Sequence, residues 1–349
     1  MNKSRLHWRL LLGIGAFIFV APLSANEALC EGAPEVDAAV SKGLEHLVKS
    51  MRPDGSYSIN GQYTMSMTAL SGLAYLSAGH TPDRGAYRKE VSKILSFIMK
   101  QCQNPAFKNS GFITTANEGQ PMYGHGFAVL FLSQVYGTVS DPSQSQEIKA
   151  VIRKGVALIT RAQSRDGGWY YTHNSQADEG SVTVTQLQAL RAAQNAGVLV
   201  NENVIAQAKN YLKKSQNRDG GIRYRAGNMS ESTEALTAAG IACYFNCGDY
   251  SGEHITQAIA FLDSRMMRDD NSVTLRRGHF MYTHQYASQA YFALGGDRWR
   301  RYYKVMATHL VQSQMQDGSW QGDIGSAYAT PVGIMILTLP YRQLPINQR

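Results

Sequence analysis

The stretch Gln163-Ser-Arg-Asp-Gly-Gly-Trp169 returns as Gln216-Asn-Arg-Asp-Gly-Gly-Ile222 and again as Gln314-Met-Gln-Asp-Gly-Ser-Trp320. Each copy follows an apolar stretch with helical spacing and precedes a second one of similar length. A helix–turn–helix phrase repeated in this way sets the architecture before any chemistry is sought. Fainter copies appear on either side. Lys154-Gly155-x-x-Leu158-Ile159 leads into Gln163, and Lys42-Gly43-x-x-His46-Leu47 leads into Met51 and then Asp54-Gly55-Ser56-Tyr57 at the same spacing. Tyr211-Leu212 before Gln216 and Phe261-Leu262 before Met266 repeat an aromatic–aliphatic pair, and a weaker unit runs from Phe97-Ile98 to Gly111-Phe112. After each turn the pattern predicts a helix rich in small residues, over 65–79, 123–137, 182–197, 231–248, 282–296 and 328–339. Six units of about 50 residues result.

The physics of one unit is readable. Glycine supplies turn angles that other residues reach only with strain, and the preceding Asp can bond its own backbone. Trp or Tyr after the turn offers a large apolar face to cover the helix end. Gln at the close of the first helix can satisfy orphan groups there, and Ser181 and Ser230 are positioned as caps for the helices that follow them. Neither helix of a unit can bury its apolar stripe alone, so neighbouring units must stack.

The phrase Lys-Gly-x-x-(aromatic or aliphatic)-Leu-x-x-x-Gln-x-x-x-Gly-x-Trp resembles the repeat of squalene–hopene cyclases and, more loosely, of protein prenyltransferase β subunits; residues 154–169 match it almost throughout. The resemblance spans about residues 36–340, strongest at the third, fourth and sixth units. It implies an all-α fold, a single α/α toroid in which six helical hairpins form an inner ring of helices inside an outer ring. It also invites a search for the family's chemistry. The cyclases protonate substrate with Asp-x-Asp-Asp-Thr-Ala; the best counterpart here is Asp178-Glu179-Gly180-Ser181-Val182-Thr183, where Gly180 and Ser181 replace the acid pair. Prenyltransferases hold zinc through Asp-x-Cys and a distant His, but the cysteines here follow Leu29, Gln101, Ala242 and Asn246. The Cys-Gly-Glu-Gln of thioester domains, which share the toroid, is replaced by Cys247-Gly248-Asp249-Tyr250. Polysaccharide lyases on related barrels need no motif that this chain excludes.

Composition fits a large buried core: of 349 residues, 44% are apolar and 17% charged. Lys3, Arg5 and Arg9 precede an apolar run from Leu10 to Leu23 and small residues around Ala25. This reads as a secretory signal over 1–25, and the run is too short to span a bilayer comfortably. The expectation is an exported protein, periplasmic or secreted, with the toroid over 36–340. Removing the signal deletes three positive charges and no acids, so a formal net charge of +8 becomes +5. The remaining charge is scattered apart from Arg276-Arg277 and Arg298–Arg301, with no basic stripe for nucleic acid. Attraction to an anionic lipid surface or acidic polymer stays open. Cys243 and Cys247 read as small buried thiols on one helix face, while Cys30 and Cys102 are a candidate disulfide that spacing cannot establish.

In such a ring the six inner-helix N-termini gather at one mouth, where free amides and helix dipoles favour an anion. Two helix starts read alike, Met122-Tyr123-Gly124-His125 and Met281-Tyr282-Thr283-His284. They belong to opposite units, so His125 and His284 are expected to face each other across the cavity, with Tyr123 and Tyr282 beside them. Glu231 is expected to open the fourth inner helix, Asp178 and Glu179 to precede the third, Tyr286 to line the cavity and Tyr328 to begin the sixth. Rim packing and helix capping are the competing structural roles for these residues. Two functions follow. One is a module that binds a small molecule, lipid or polymer in the cavity, such as an apolar molecule with a polar or anionic head, or engages a partner protein, without cofactor or resident metal. The other is an enzyme at the helix-N-terminal mouth, terpenoid-cyclase- or prenyltransferase-like or polysaccharide-lyase-like, working through His125, His284, Tyr282 and Glu231.

Overall fold

A computed structural model describes residues 33–348 apart from 106–107, 117, 269–272 and 276–277. The expected signal segment over 1–25, Cys30 and the Arg276-Arg277 pair lie outside the described residues. Among the described residues, twelve α-helices alternate between two rings. The outer ring is α1 (Pro34–Ser50), α3 (Arg88–Cys102), α5 (Pro142–Ala162), α7 (Glu202–Lys214), α9 (Glu253–Met266) and α11 (Gly296–Ser313). The inner ring is α2 (Thr64–Ser77), α4 (Pro121–Val135), α6 (Gly180–Asn195), α8 (Glu234–Asn246), α10 (Phe280–Leu294) and α12 (Ser326–Thr338). Each inner helix packs on the next, and α12 packs on α2, so the ring closes.

The two rings differ because their sequences do. Outer helices are amphipathic: α7 buries only Val204, Ile205, Ala208, Tyr211 and Leu212. Inner helices meet protein on every side, and all of α2 is buried. A helix that is apolar all round belongs in such a core.

The turn phrase clasps one unit to the next. Gln163 Nε2 donates to its own turn at Gly167 O and to Val204 O of the following outer helix, both at 2.9 Å. Gln216 bonds Gly220 O and His254 O, each at 2.7 Å. Gln314 bonds Gly318 O at 2.9 Å and Ala39 O at 2.8 Å, tying the last unit to the first. The turn glycine presses on that same neighbour. At Gly167, with φ +98°, an added Cβ would lie 2.4 Å from Gln207 O, so both space and backbone angle demand glycine. Trp169 and Trp320 are buried and donate Nε1–H to Ile159 O and Leu310 O, at 2.7 and 2.8 Å. Tyr57 takes the same place with its hydroxyl on Leu47 O at 3.0 Å.

Two helix starts differ from expectation. α6 is capped by the Glu179 carboxylate rather than by Ser181. α8 begins at Glu234 with Thr233 as its cap, because Ser232 and Thr233 first pair with β1 (Ile222–Arg223) as the second strand of a short antiparallel hairpin. Glu231 therefore precedes the strand and does not open the helix. At the opposite end of the ring, the C-terminal segment tucks across the inner helices: Leu344 and Ile346 are buried, and Ile346 N–H donates to Gln134 Oε1 at 3.1 Å.

Candidate functional site

A cavity of about 290 Å³ opens at the N-terminal mouth of the inner ring. Its wall comprises Tyr63, Ser66 and Met67 from the start of α2, Tyr123 and Phe127 from α4, Tyr282 from α10 and Tyr328 from α12, with Ile59, Gln120 and Ile324 on the adjoining loops. This volume sits at the lower end of the roughly 300–1,000 Å³ range usual for small-molecule sites. Three of the tyrosines anticipated from sequence, Tyr123, Tyr282 and Tyr328, do share this wall. Tyr286 lies one turn further in, fully buried, its ring edge-on to Tyr282 at 5.0 Å. The Tyr123 and Phe127 rings are nearly parallel, 6.4 Å apart.

The two histidines do not face each other. Each sits one turn into its inner helix, turned toward the outer ring. His125 is completely buried; its Nδ1 accepts from Ile113 N–H at 3.1 Å, so Nε2 carries the proton and donates to Gly155 O of α5 at 3.2 Å. Burial holds its pKa down to about 4, and the ring is neutral near pH 7. His284 is equally buried and shares a 2.8 Å hydrogen bond with Tyr302 of the outer helix α11. The other units explain the placement. At the same level Thr68, Thr183, Thr237 and Thr330 accept from the backbone N–H of Tyr57, Trp169, Ile222 and Trp320, at 2.9, 3.0, 2.8 and 3.2 Å. His125 holds in the second unit the turn that threonine holds in four others. Aligning the six helix starts by sequence would have exposed this, since Met-Ser-Met-Thr68 and Ala-Tyr-Ala-Thr330 run parallel to Met-Tyr-Gly-His125.

Two further expectations are corrected. Glu231 is exposed on its loop, outside the cavity wall. Asp178 is half-buried and accepts from Ser164 Oγ at 2.8 Å within its own turn, also away from the wall.

The carboxylates that approach the mouth are Glu118, which the sequence pattern did not single out, and Glu179, which was expected with Asp178 ahead of the third inner helix. Glu118, on the loop before α4, caps the neighbouring α2: it accepts from Met65 N–H, Ser66 N–H and Ser66 Oγ at 2.9, 3.1 and 2.7 Å, and from Thr115 Oγ1 at 3.1 Å. Tyr63, the residue before α2, has left-handed backbone and offers no cap of its own, which leaves that role to Glu118. Glu179 is wholly buried and accepts from Ser181 N–H, Ser181 Oγ and Val182 N–H at 2.9, 2.6 and 2.5 Å. Burial pushes its pKa up, while the hydrogen bonds from Ser181 and Val182 oppose that shift. Ser181 Oγ lies 2.5 Å from Tyr123 Oη, so a chain of hydroxyls joins this buried carboxylate to the cavity wall. The hydroxyl of Tyr282 is buried and meets no partner among the described residues.

Among the described residues no group of three or more His, Cys, Asp or Glu could hold a metal ion. Cys243 is buried, with its thiol directed at Val184 O at 3.7 Å. No described helix is long and apolar enough to cross a membrane.

Residues 133–274 match the squalene–hopene cyclase C-terminal domain family. The chain is similar to drimenyl diphosphate synthase of Streptomyces showdoensis, 25% identical over 190 residues, covering 54% of this chain. The match covers 32% of that protein, so the chain spans about a third of the length of this curated relative. Among solved structures, the type II terpene cyclase MstE from Scytonema superposes with a TM-score of 0.58 at 13% identity, covering 89% of this chain and 99% of that one. D-mannose isomerase gives 0.62 at 11% identity, with 93% and 99% covered. Cellobiose 2-epimerase from Bacillus thermoamylovorans gives 0.60 at 12% identity, with 88% and 99% covered. Terpene cyclases and sugar-converting enzymes thus share this ring, and at such identities the likeness speaks for the fold alone. The described residues form a six-unit α/α toroid, and its stretch 133–274 is similar to the squalene–hopene cyclase C-terminal domain family.

Proposed function

We propose that this protein is exported and binds an apolar molecule with a polar head in the cavity at the inner-helix mouth. One observation carries the reading: ten residues from four inner helices and the loops beside them converge on one concave space, and six of them are tyrosine, phenylalanine or methionine. Such a wall suits an apolar body, while the hydroxyls of Ser66, Tyr123, Tyr282 and Tyr328 can orient a head group. The wall has no carboxylate, histidine or cysteine, which supports binding over acid–base chemistry at this place. The enzymatic alternative assigned to His125, His284, Tyr282 and Glu231 has less support, because only Tyr282 of the four lines the cavity.

Mass spectrometry of an organic extract of the purified protein tests the proposal. An apolar compound recovered from wild type and depleted in Met67→Trp, which fills the cavity, is the expected result. Recovery of no compound, together with turnover of a candidate substrate that His284→Ala abolishes, would overturn it. Export is tested by N-terminal sequencing of protein from the medium or periplasm; a mature chain starting near Asn26 is expected, and an intact Met1 would refute it.

A further inference from the structure

The direction of the hydrogen bonds around the cavity identifies the head group. This step rests on the cavity being a binding site. Each hydroxyl has one proton to donate. Ser66 gives its proton to Glu118 at 2.7 Å. Ser181 gives its proton to Glu179 at 2.6 Å, so in the 2.5 Å contact between Ser181 and Tyr123 it is Tyr123 that donates. Tyr328 gives its proton to Gln285 Oε1 at 2.7 Å. Three wall oxygens, those of Ser66, Tyr123 and Tyr328, are therefore left with lone pairs and no proton to offer a ligand. Tyr282 is the reverse: its buried hydroxyl still has a proton with no acceptor among the described residues. A buried polar group in that state is costly until something bonds it.

The electrostatics of the mouth point the same way. Inner-helix N-termini were expected to attract an anion, but at four of the six, α2, α4, α6 and α8, first-turn amides are already engaged, while no side chain caps α10 or α12. Glu118 holds those of α2 and Glu179 those of α6, while Thr233 accepts from Leu236 N–H in α8 and Tyr171 O from Met122 N–H in α4. The two glutamates offset the dipoles they cap. Among the described residues no lysine, arginine or histidine lines the cavity, and the Gln120 amide is the remaining side-chain donor beside Tyr282.

We infer that the cavity recognises a neutral hydroxyl group on an apolar chain: the ligand's O–H donates to the oxygens left with lone pairs, and its oxygen accepts from Tyr282. An anionic head brings only acceptors to a wall made mostly of acceptors. An ammonium head brings only donors and leaves the Tyr282 proton without a partner.

Equilibrium binding by the full mature chain tests this, with geraniol, its methyl ether, geranylamine, geranyl diphosphate and the matching hydrocarbon as probes. Geraniol is expected to bind best. Tyr282→Phe should weaken geraniol about five- to tenfold, the scale of one neutral hydrogen bond, and leave the hydrocarbon unchanged. Ser181→Ala provides a second readout. It removes the acceptor of the Tyr123 proton, which frees that proton for a ligand, so the methyl ether should gain on the alcohol. Tighter binding of the diphosphate or the amine than of geraniol would overturn the inference while leaving the cavity reading intact. An equal loss of alcohol and hydrocarbon in Tyr282→Phe, with an unmoved ether-to-alcohol ratio in Ser181→Ala, would do the same. If not even the hydrocarbon binds, the cavity reading falls as well.

Discussion

His125 gives the structural account its sharpest consequence, because its role predicts a pH dependence that a cavity-facing catalytic histidine would not produce. The neutral ring accepts from Ile113 N–H, and protonating Nδ1 destroys that bond inside a buried site. Folding lowers the pKa from 6.5 to about 4. A group depressed in the folded state binds more protons when unfolded, so its contribution is fully present above pH 6.5 and is lost as pH falls toward 4. The slope is about 1.4 kcal/mol per pH unit, and the whole loss is about 3 kcal/mol. His125→Thr installs the residue used in four other units. It should cost about 1–3 kcal/mol at pH 7.5 through lost packing, and should flatten this part of the acid slope. His125→Ala should cost a further 1–3 kcal/mol or so, because Ile113 N–H is then buried without an acceptor. Urea unfolding at half-unit intervals between pH 4 and 7.5 measures all three proteins. An unchanged acid slope in His125→Thr would refute the role assigned here.

Other expectations follow from the clasps and caps. Gln163→Ala removes two hydrogen bonds, one within its own turn and one that joins the third unit to the fourth, and should lower stability by about 2 kcal/mol in the same denaturation assay. Gly167→Ala forces a Cβ against Gln207 O at a left-handed backbone angle and should destabilise by more than the roughly 1 kcal/mol usual for glycine replacement. Glu118→Ala should cost about 2–3 kcal/mol by uncapping α2, whereas Glu231→Ala, on an exposed loop, should stay within about 0.5 kcal/mol; the contrast is read from paired melts.

The fold was legible because it is written six times. Gln163, Gly167 and Trp169 each serve a local function that recurs, and the six inner helices were anticipated to within a few residues. The site was less legible for a physical reason. Periodicity tells which helix a residue sits on, but the side that faces the ring's centre depends on packing against both neighbours. His125 and His284 stood out as unusual residues in a repeated phrase, yet His125 fills the position that four other units use to hold their turns, and His284 bonds Tyr302 of the outer ring. Glu118 escaped notice because it caps a helix that starts more than fifty residues earlier, a partnership only closure of the ring creates. Glu179 was visible beside Asp178, but no spacing rule could distinguish the capping acid from its neighbour. The tyrosines were found for the opposite reason: Tyr123, Tyr282 and Tyr328 stand at the very starts of inner helices, where a side chain reaches the mouth.

The most direct test of the central claim is a structure of the protein soaked with geraniol. The account predicts the ligand in the cavity between Tyr123 and Tyr282, with its oxygen within about 3.2 Å of both phenol oxygens. A ligand bound elsewhere with this cavity empty, or one seated with its hydroxyl turned away from both tyrosines, would contradict it.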